Sequence, residues 1–296
     1  ASHGEPVPEL LEGFVSGAPP FRLTSAFPRA GAVRFYPAPA RYPARLYASG
    51  MAAKTLKKVR WLSQGVLEAL VQGGIPSAQP VDFLQHGNLW LSPEEYQGLR
   101  PLLSSGTDGT PSLWQFQIVP HVTIDRGSSA SNLFHTGRVT FGENCGLWFA
   151  VDGPTDSLRK ALTHLSDTGL GGLRSTGHGA FSFKEEVQEL SLASAGWGYN
   201  LARYAPGSLE EITAGLLASE SAYKLVTVGG WCQDDTGHPW RRSSLRMISE
   251  GAILPAHLTG HLVNVRPQDV PQFENRPVYR YAFPYLIPAG KLVEAL

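Results

Sequence analysis

The chain has only two cysteines, Cys145 and Cys232, with no CxxC pair and no Cys/His cluster. A zinc site is therefore unsupported, nothing calls for an oxidising compartment, and a cytoplasmic location is the default expectation. No apolar run approaches the ~18 residues of a membrane-spanning helix, so no membrane partner is expected, and no signal peptide is visible. Net charge is absent too: 25 basic and 25 acidic residues cancel, which on its own disfavours a nucleic-acid binder. The most uneven absence is local. Between Gly13 and Leu67 there is no Asp or Glu, whereas Arg22, Arg29, Arg34, Arg41, Arg45, Lys54, Lys57, Lys58 and Arg60 lie there, so that stretch is +9 and the remainder −9. Segregation on this scale marks either a basic face for a polyanion or a solvated basic surface.

Glycine and proline are abundant, with 32 and 23 residues, which implies many short elements and excludes a helical bundle or coiled coil. A 42% hydrophobic content supplies a core, and the length suggests two domains. Residues 8–15 read as the end of a short helix, 21–48 as an extended Pro-rich segment, 54–72 as one or two short helices, and 93–100 as a helix opened by Pro93. Trp114–Ile124 and Arg138–Val151 read as strands joined by the polar linker Asp125–Gly137, a hairpin with a long loop. Leu158, Ala161, Leu162 and Leu165 have helical spacing, Gly169 stops that helix, and a strand is expected at Ala180–Phe183. Strands at Tyr223–Val228 and Arg246–Ile253 belong to a second unit starting near Val187. The pattern is α+β, divided as 1–186 and 187–296.

The richest local signal is the run Gly169-Leu-Gly171-Gly172-Leu-Arg174-Ser175-Thr-Gly177-His-Gly179. Such a loop lets the backbone approach a ligand, its amides can cradle phosphate oxygens, and Arg174 adds a guanidinium fork. Walker and Rossmann loops run strand, glycines, helix; here the helix comes first, no Gly-Lys-Ser/Thr is present, and no GxGxxG frame completes, so a nucleotide-binding enzyme is disfavoured. A tight turn with no ligand is the plainer alternative.

Helix followed by GLGGLRSTGHGAF resembles the glycine-rich loop of the RAMP superfamily of CRISPR proteins. SAFPRAG (25–31) with FYPAP (35–39), HVTIDRGSSASNLFHTGRVTF (121–141), YNLARYAP (199–206), YKLVTVGGW (223–231), RRSSLRMISEGAIL (241–254) and GHLVNVRP…RPVYRYAFPYLIP (260–288) narrow it. In that order they resemble the family of fourth Csm subunits of type III-A CRISPR interference complexes. The resemblance implies two ferredoxin-like (RRM-like) domains and no catalysis or cofactor. It implies a subunit that holds the 5′ handle of crRNA and joins the backbone-filament Csm subunit to the large polymerase-like subunit, meeting target RNA only indirectly. It also implies that the first domain lacks its N-terminal elements, since the PELLEGFVSGAPPF-like stretch already sits at 8–21 and no Met precedes it.

On this reading the RNA-binding candidates are Gly169, Gly171, Gly172, Arg174, Ser175, Gly177 and Gly179 in the loop, and Arg126 and His121 in the hairpin. Arg22, Arg29, Arg34, Arg41 and Lys54 in the basic block complete the set. Arg126 could instead pair with Asp125, and Arg241-Arg242 could be an interface or a solvated turn. Three rivals remain: an RNA-cleaving member of the same superfamily using His121, His135 or His178; a metal hydrolase using His257 and His261; and a purely architectural subunit.

Overall fold

The computed structural model describes residues 7–77, 83–105, 109, 111–124, 127, 131–189, 192–193 and 196–293. They fall into two compact units. One, the sheet unit, comprises Ala26–Ala38 and Tyr42–Trp148; the other, the ribbon unit, comprises the described residues up to Ser25, Pro39–Arg41, and those from Phe149 on. This grouping differs from a division at 186/187, and backbone pairing is the reason. Arg22–Leu23 pairs with Val151–Asp152, and Ser25 N–H donates to Leu201 O at 2.8 Å, so the first described residues are built into the C-terminal half.

The sheet unit contains a six-stranded sheet in the order Cys145–Trp148, Phe27–Ala30, Val33–Pro37, Trp61–Ser63, Leu89–Trp90, Phe83–Leu84. Only Trp61–Ser63 and Leu89–Trp90 run parallel. Parallel neighbours need a crossover, and helix Gln64–Gln72 lies in it, its buried Val66, Leu67 and Leu70 serving the core. Phe35 sits at the centre of a buried cluster with Leu84, Leu89, Leu91 and Leu113, and Trp148 Nε1 donates to Phe35 O at 3.0 Å. The stretch 54–72 thus holds two helices, Ala53–Lys58 and Gln64–Gln72, with a strand between them.

One carboxylate starts two helices. Glu95 accepts from Ser92 N–H at 3.0 Å while Ser92 Oγ accepts from Glu95 N–H at 3.3 Å, the reciprocal capping box of helix Pro93–Leu99. Glu95 also accepts from Gly65 N–H at 2.9 Å, in the first turn of Gln64–Gln72, and from the Ser63 hydroxyl. Glu95→Ala should therefore destabilise the sheet unit by about 2 kcal/mol. Thermal unfolding followed by circular dichroism checks this, and an unchanged transition would show that the shared cap contributes nothing.

The hairpin of the sheet unit has two 11-residue arms, Trp114–Ile124 and Ser131–Phe141, paired from Trp114↔Phe141 out to Ile124↔Ser131. The second arm starts seven residues earlier than the Arg138 expected and stops at a turn in which Asn144 has φ 53°; the chain then rejoins the sheet as Cys145–Trp148. Ser131, Asn132 and Thr136 look like loop residues because they are polar. An exposed ribbon needs no buried face, so polar residues such as these do not exclude a strand.

The ribbon unit is built on the three-stranded sheet Ile253–Pro255, Trp197–Asn200, Leu286–Pro288. Two-stranded ribbons flank it in sequence: Leu225–Val228 with Leu245–Ile248, Trp231–Gln233 with Pro239–Arg241, and His261–Asn264 with Tyr279–Ala282. Tyr204, Ile248, Leu254, Leu258 and Leu286 form a buried cluster. Buried Asn200 bridges segments, accepting from Ala202 N–H and Tyr285 N–H, each at 3.2 Å. The expected strand Arg246–Ile253 is two strands, broken between Ile248 and Ile253, where Gly251 has φ 83°.

Helix Asp156–Thr168 ends at Gly169 as expected, but no strand forms at Ala180–Phe183. Phe181 N–H donates to Ser166 O at 3.4 Å, and Arg159 grips Glu185 with two bonds of 2.7 Å. The returning chain is thereby tied to the helix instead of to a strand edge.

Candidate functional site

The glycine loop divides into a neck and a crown. At the neck Leu170 N–H donates to Gly179 O at 2.8 Å. Gly179 has φ 83°, and a Cβ there would overlap the Leu170 carbonyl, so the backbones approach as closely as they do only because position 179 has no side chain. Gly169, with φ 82°, is likewise pressed against His178 O. The crown is different. Gly171, Gly172 and Gly177 have no atom of another part of the chain within 4 Å of where a Cβ would stand. A short 3₁₀ turn, Arg174–Thr176, sits at the top, held by Gly177 N–H to Arg174 O at 3.1 Å and the Thr176 hydroxyl to Leu173 O at 2.8 Å. The Arg174 side chain is exposed, and among the described residues its guanidinium has no partner. The crown therefore offers open backbone and one unneutralised fork on a fixed neck, geometry suited to a phosphate backbone.

The basic block is divided between the two units. Arg22 and Arg41 lie in the ribbon unit with the glycine loop, whereas Arg29, Arg34 and Lys54 lie in the sheet unit. Several of these cations serve the protein itself. Arg29 donates to Gly31 O at 2.9 Å, Arg41 to Glu220 O at 2.8 Å, and Arg45 to Leu70 O at 2.7 Å. Arg34 lies 5.8 Å over the Trp148 ring. Lys54, Lys57, Lys58 and Arg60 remain exposed. Tyr36 and Tyr42, interleaved with these cations, are buried and offer no face for a base to stack on.

His121 lies mid-arm in the hairpin, its Nε2 2.8 Å from Thr136 Oγ1 and its ring stacked on Phe134 at 5.3 Å. Arg126 lies outside the described residues. His135 opposes Pro120 on the other face of the ribbon from His121, so these two histidines form no acid–base pair. His257 and His261 share no helix, and among the described residues no group of three or more His, Cys, Asp or Glu could hold a metal ion.

Two features escaped the sequence reading. One face of the hairpin carries Phe116, Ile118, Val122 and Ile124 opposite Leu133 and Val139, all exposed. Every second residue of Phe116–Ile124 on that face is apolar, a signal that strand alternation does contain, but alternation predicts burial, not exposure. The second is a convergence of arginines in the ribbon unit, where Arg203 and Arg242 lie beside Arg280.

Among the described residues no helix is long and apolar enough to cross a membrane. The fold is that of chains found in type III-A CRISPR-Cas assemblies. A chain of a Csm3–Csm4 subcomplex of the type III-A interference complex matches with a TM-score of 0.58 at 16% identity, over 95% of this chain and 87% of that one. A chain of a Csm1–Csm4 cassette in complex with cA4 matches at 0.55 and 17% identity, over 97% and 83%. In sequence, residues 194–289 match the CRISPR Csm4 C-terminal domain. The "CRISPR system Cms protein Csm4" of Thermococcus onnurineus (strain NA1) is 26% identical over 268 residues, 86% of this chain and 76% of that protein. In sequence and in fold the chain is thus similar to Csm4 proteins.

Proposed function

We propose that the chain is a non-catalytic RNA-binding subunit of a type III-A CRISPR effector ribonucleoprotein that acts in antiviral defence. It holds the 5′ handle of crRNA and joins the backbone filament to the large polymerase-like subunit, and it meets target RNA only through the guide. The observation that carries this reading is the glycine loop, with its tied neck, open crown and exposed Arg174. The relatives support the partners: one comes from a complex with Csm3, another from a complex with Csm1. The exposed apolar face of the hairpin supports a life in an assembly, because a two-stranded ribbon with such a face gains stability when something covers it. Two ferredoxin-like halves belong to the same reading, and the parallel crossover through Gln64–Gln72 is one of the βαβ units that such a half requires.

The test is retention of crRNA by the assembled complex. Arg174→Ala should weaken handle binding about tenfold, the loss of one charge-assisted phosphate contact, and Arg174→Ala with Arg126→Ala should weaken it further without unfolding the protein. Normal retention in both variants would overturn these assignments. Specific cleavage of labelled repeat RNA by the isolated chain in EDTA would replace them with a nuclease.

A further inference from the structure

The ribbon unit brings the guanidinium groups of Arg203 and Arg242 beside that of Arg280, with one carboxylate, Glu250, close to Arg203 and Arg280. Arg203 Nε donates to Glu250 Oε1 at 3.2 Å, and the same oxygen accepts from the Ser25 hydroxyl at 2.6 Å. Arg242 and Arg280 have no such partner among the described residues, and Arg242 Nε is both buried and without a hydrogen bond. Both arginines line a small cleft, open to solvent, together with Ser243 and an apolar wall of Val228, Leu245 and Val265. Burial, with Arg203 and Arg242 beside it, pushes the Arg280 guanidinium below its ordinary value, against the pull of Glu250. Cations crowded in this way cost free energy unless an anion completes them.

The chain is shaped to hold Arg242 there. Gly230 has φ 147°, and a Cβ on it would collide with the Arg242 guanidinium. Arg242 N–H in turn donates to Gly230 O at 3.0 Å. Ser243 N–H donates to Val265 O at 3.0 Å, which links the strand segment of Arg242 to the ribbon that carries Arg280. The glycine pair before Trp231 and the arginine pair at 241–242 thus form one local construction. Next to it Trp231 is 60% exposed, with the Arg241 guanidinium 5.3 Å from its ring.

We propose that Arg242 and Arg280 form a phosphate-binding pocket for single-stranded RNA, with Trp231 as a stacking platform beside it. A carboxylate fills one guanidinium fork, whereas the tetrahedral oxygens of a phosphate accept from two forks approaching from different directions. The neighbouring exposed indole adds the flat surface that single-stranded bases stack on. The RNA assignment rests on the function proposed above; the pocket itself rests on this geometry.

Two measurements on the full chain test it. First, inorganic phosphate replaces chloride at equal ionic strength during thermal unfolding. Wild type should gain about 3 °C, and Arg242→Gln and Arg280→Gln should lose most of that gain. In chloride alone Arg280→Gln should unfold no lower than wild type, because removing one of the crowded charges relieves repulsion. Second, anisotropy of fluorescein-labelled single-stranded RNA is followed across a salt series. Arg280→Gln should weaken binding about tenfold and flatten the log–log salt dependence by about 0.7, with Arg280→Lys recovering part of both. An equal phosphate gain in wild type and variants overturns the pocket. So does RNA binding that Arg174→Ala weakens and Arg280→Gln does not, or stabilisation by an acidic peptide where phosphate has no effect. Absence of RNA binding by wild type would overturn the RNA reading of the whole chain.

Discussion

Glu211→Ala should lower the melting temperature of the ribbon unit by about 10 °C, equivalent to roughly 4 kcal/mol. Glu211 is buried and its carboxylate gathers five donors. Oε2 accepts from Gly207 N–H at 2.6 Å and the Tyr204 hydroxyl at 3.0 Å; Oε1 accepts from Thr259 N–H at 2.5 Å, the Thr259 hydroxyl at 2.7 Å and Gly260 N–H at 3.0 Å. One side chain therefore ties the segment 204–211 to the turn at 258–260. Alanine would leave three amides and two hydroxyls without their acceptor, several of them out of reach of water. Burial alone would raise the Glu211 pKa, but the amides of Gly207, Thr259 and Gly260 and the Thr259 hydroxyl outweigh it and hold the group at about 2, against an ordinary 4.5. A carboxylate depressed in the folded state adds stability above its unfolded pKa and loses it as pH falls. The contribution, about 3 kcal/mol, should be complete above pH ~5 and vanish between pH ~4.5 and ~2. Glu211→Gln should flatten this part of the stability–pH curve. An acid limb identical in wild type and Glu211→Gln would show that the carboxylate does not carry it.

That knot also shows what a sequence reading reaches and what it misses. Local signals transfer well. Pro93 behind Ser92, the i, i+3, i+4, i+7 leucines from Leu158 to Leu165, and the stop at Gly169 all depend on neighbours within a few residues, and the helices form where those signals lie. The reach of Glu211 to Thr259 and Gly260, and of Glu95 to Gly65, is not legible in the same way, because these donors lie on segments that no local pattern connects to the carboxylate. The two misplaced strands have one cause. Ser131–Gly137 is strand because its partner arm extends, and Ala180–Phe183 is not strand because the helix, through Arg159 and Ser166, takes up that segment first. The glycine loop was legible as a cluster, yet its division of labour was not. All its glycines look alike in sequence, and only the fold separates those that permit a close backbone approach from those that face open space. In the same way a run of nine cations suggests one surface, whereas Arg29, Arg41 and Arg45 are spent on carbonyl groups of the protein. The pair Gly230 and Arg242 stood in the sequence as two separate motifs, and the ribbon of Trp231–Gln233 with Pro239–Arg241 brings them together.

Gly179→Ala should cost at least tenfold in RNA affinity while leaving the unfolding temperature within about 2 °C of wild type. The added methyl meets the Leu170 carbonyl, which is backbone and cannot swing aside, and alanine at φ 83° adds roughly 1 kcal/mol of its own. The neck bond from Leu170 N–H to Gly179 O must then open, and the crown loses its fixed position. Stability changes little because Leu170, Leu173, Arg174, His178 and Gly179 are at most half-buried and belong to no core cluster. Gly172→Ala is the matched comparison. Its φ is ordinary and no other part of the chain is near, so the loop keeps its shape and the protein its stability. Circular dichroism and RNA anisotropy on the two variants separate shape from contact. Loss in Gly179→Ala alone would place the requirement on the neck geometry. Loss in both would mean that RNA passes within a methyl group of the Gly172 backbone. Wild-type affinity in Gly179→Ala would remove the glycine loop from the RNA site, because no ligand that needs this crown could tolerate an opened neck.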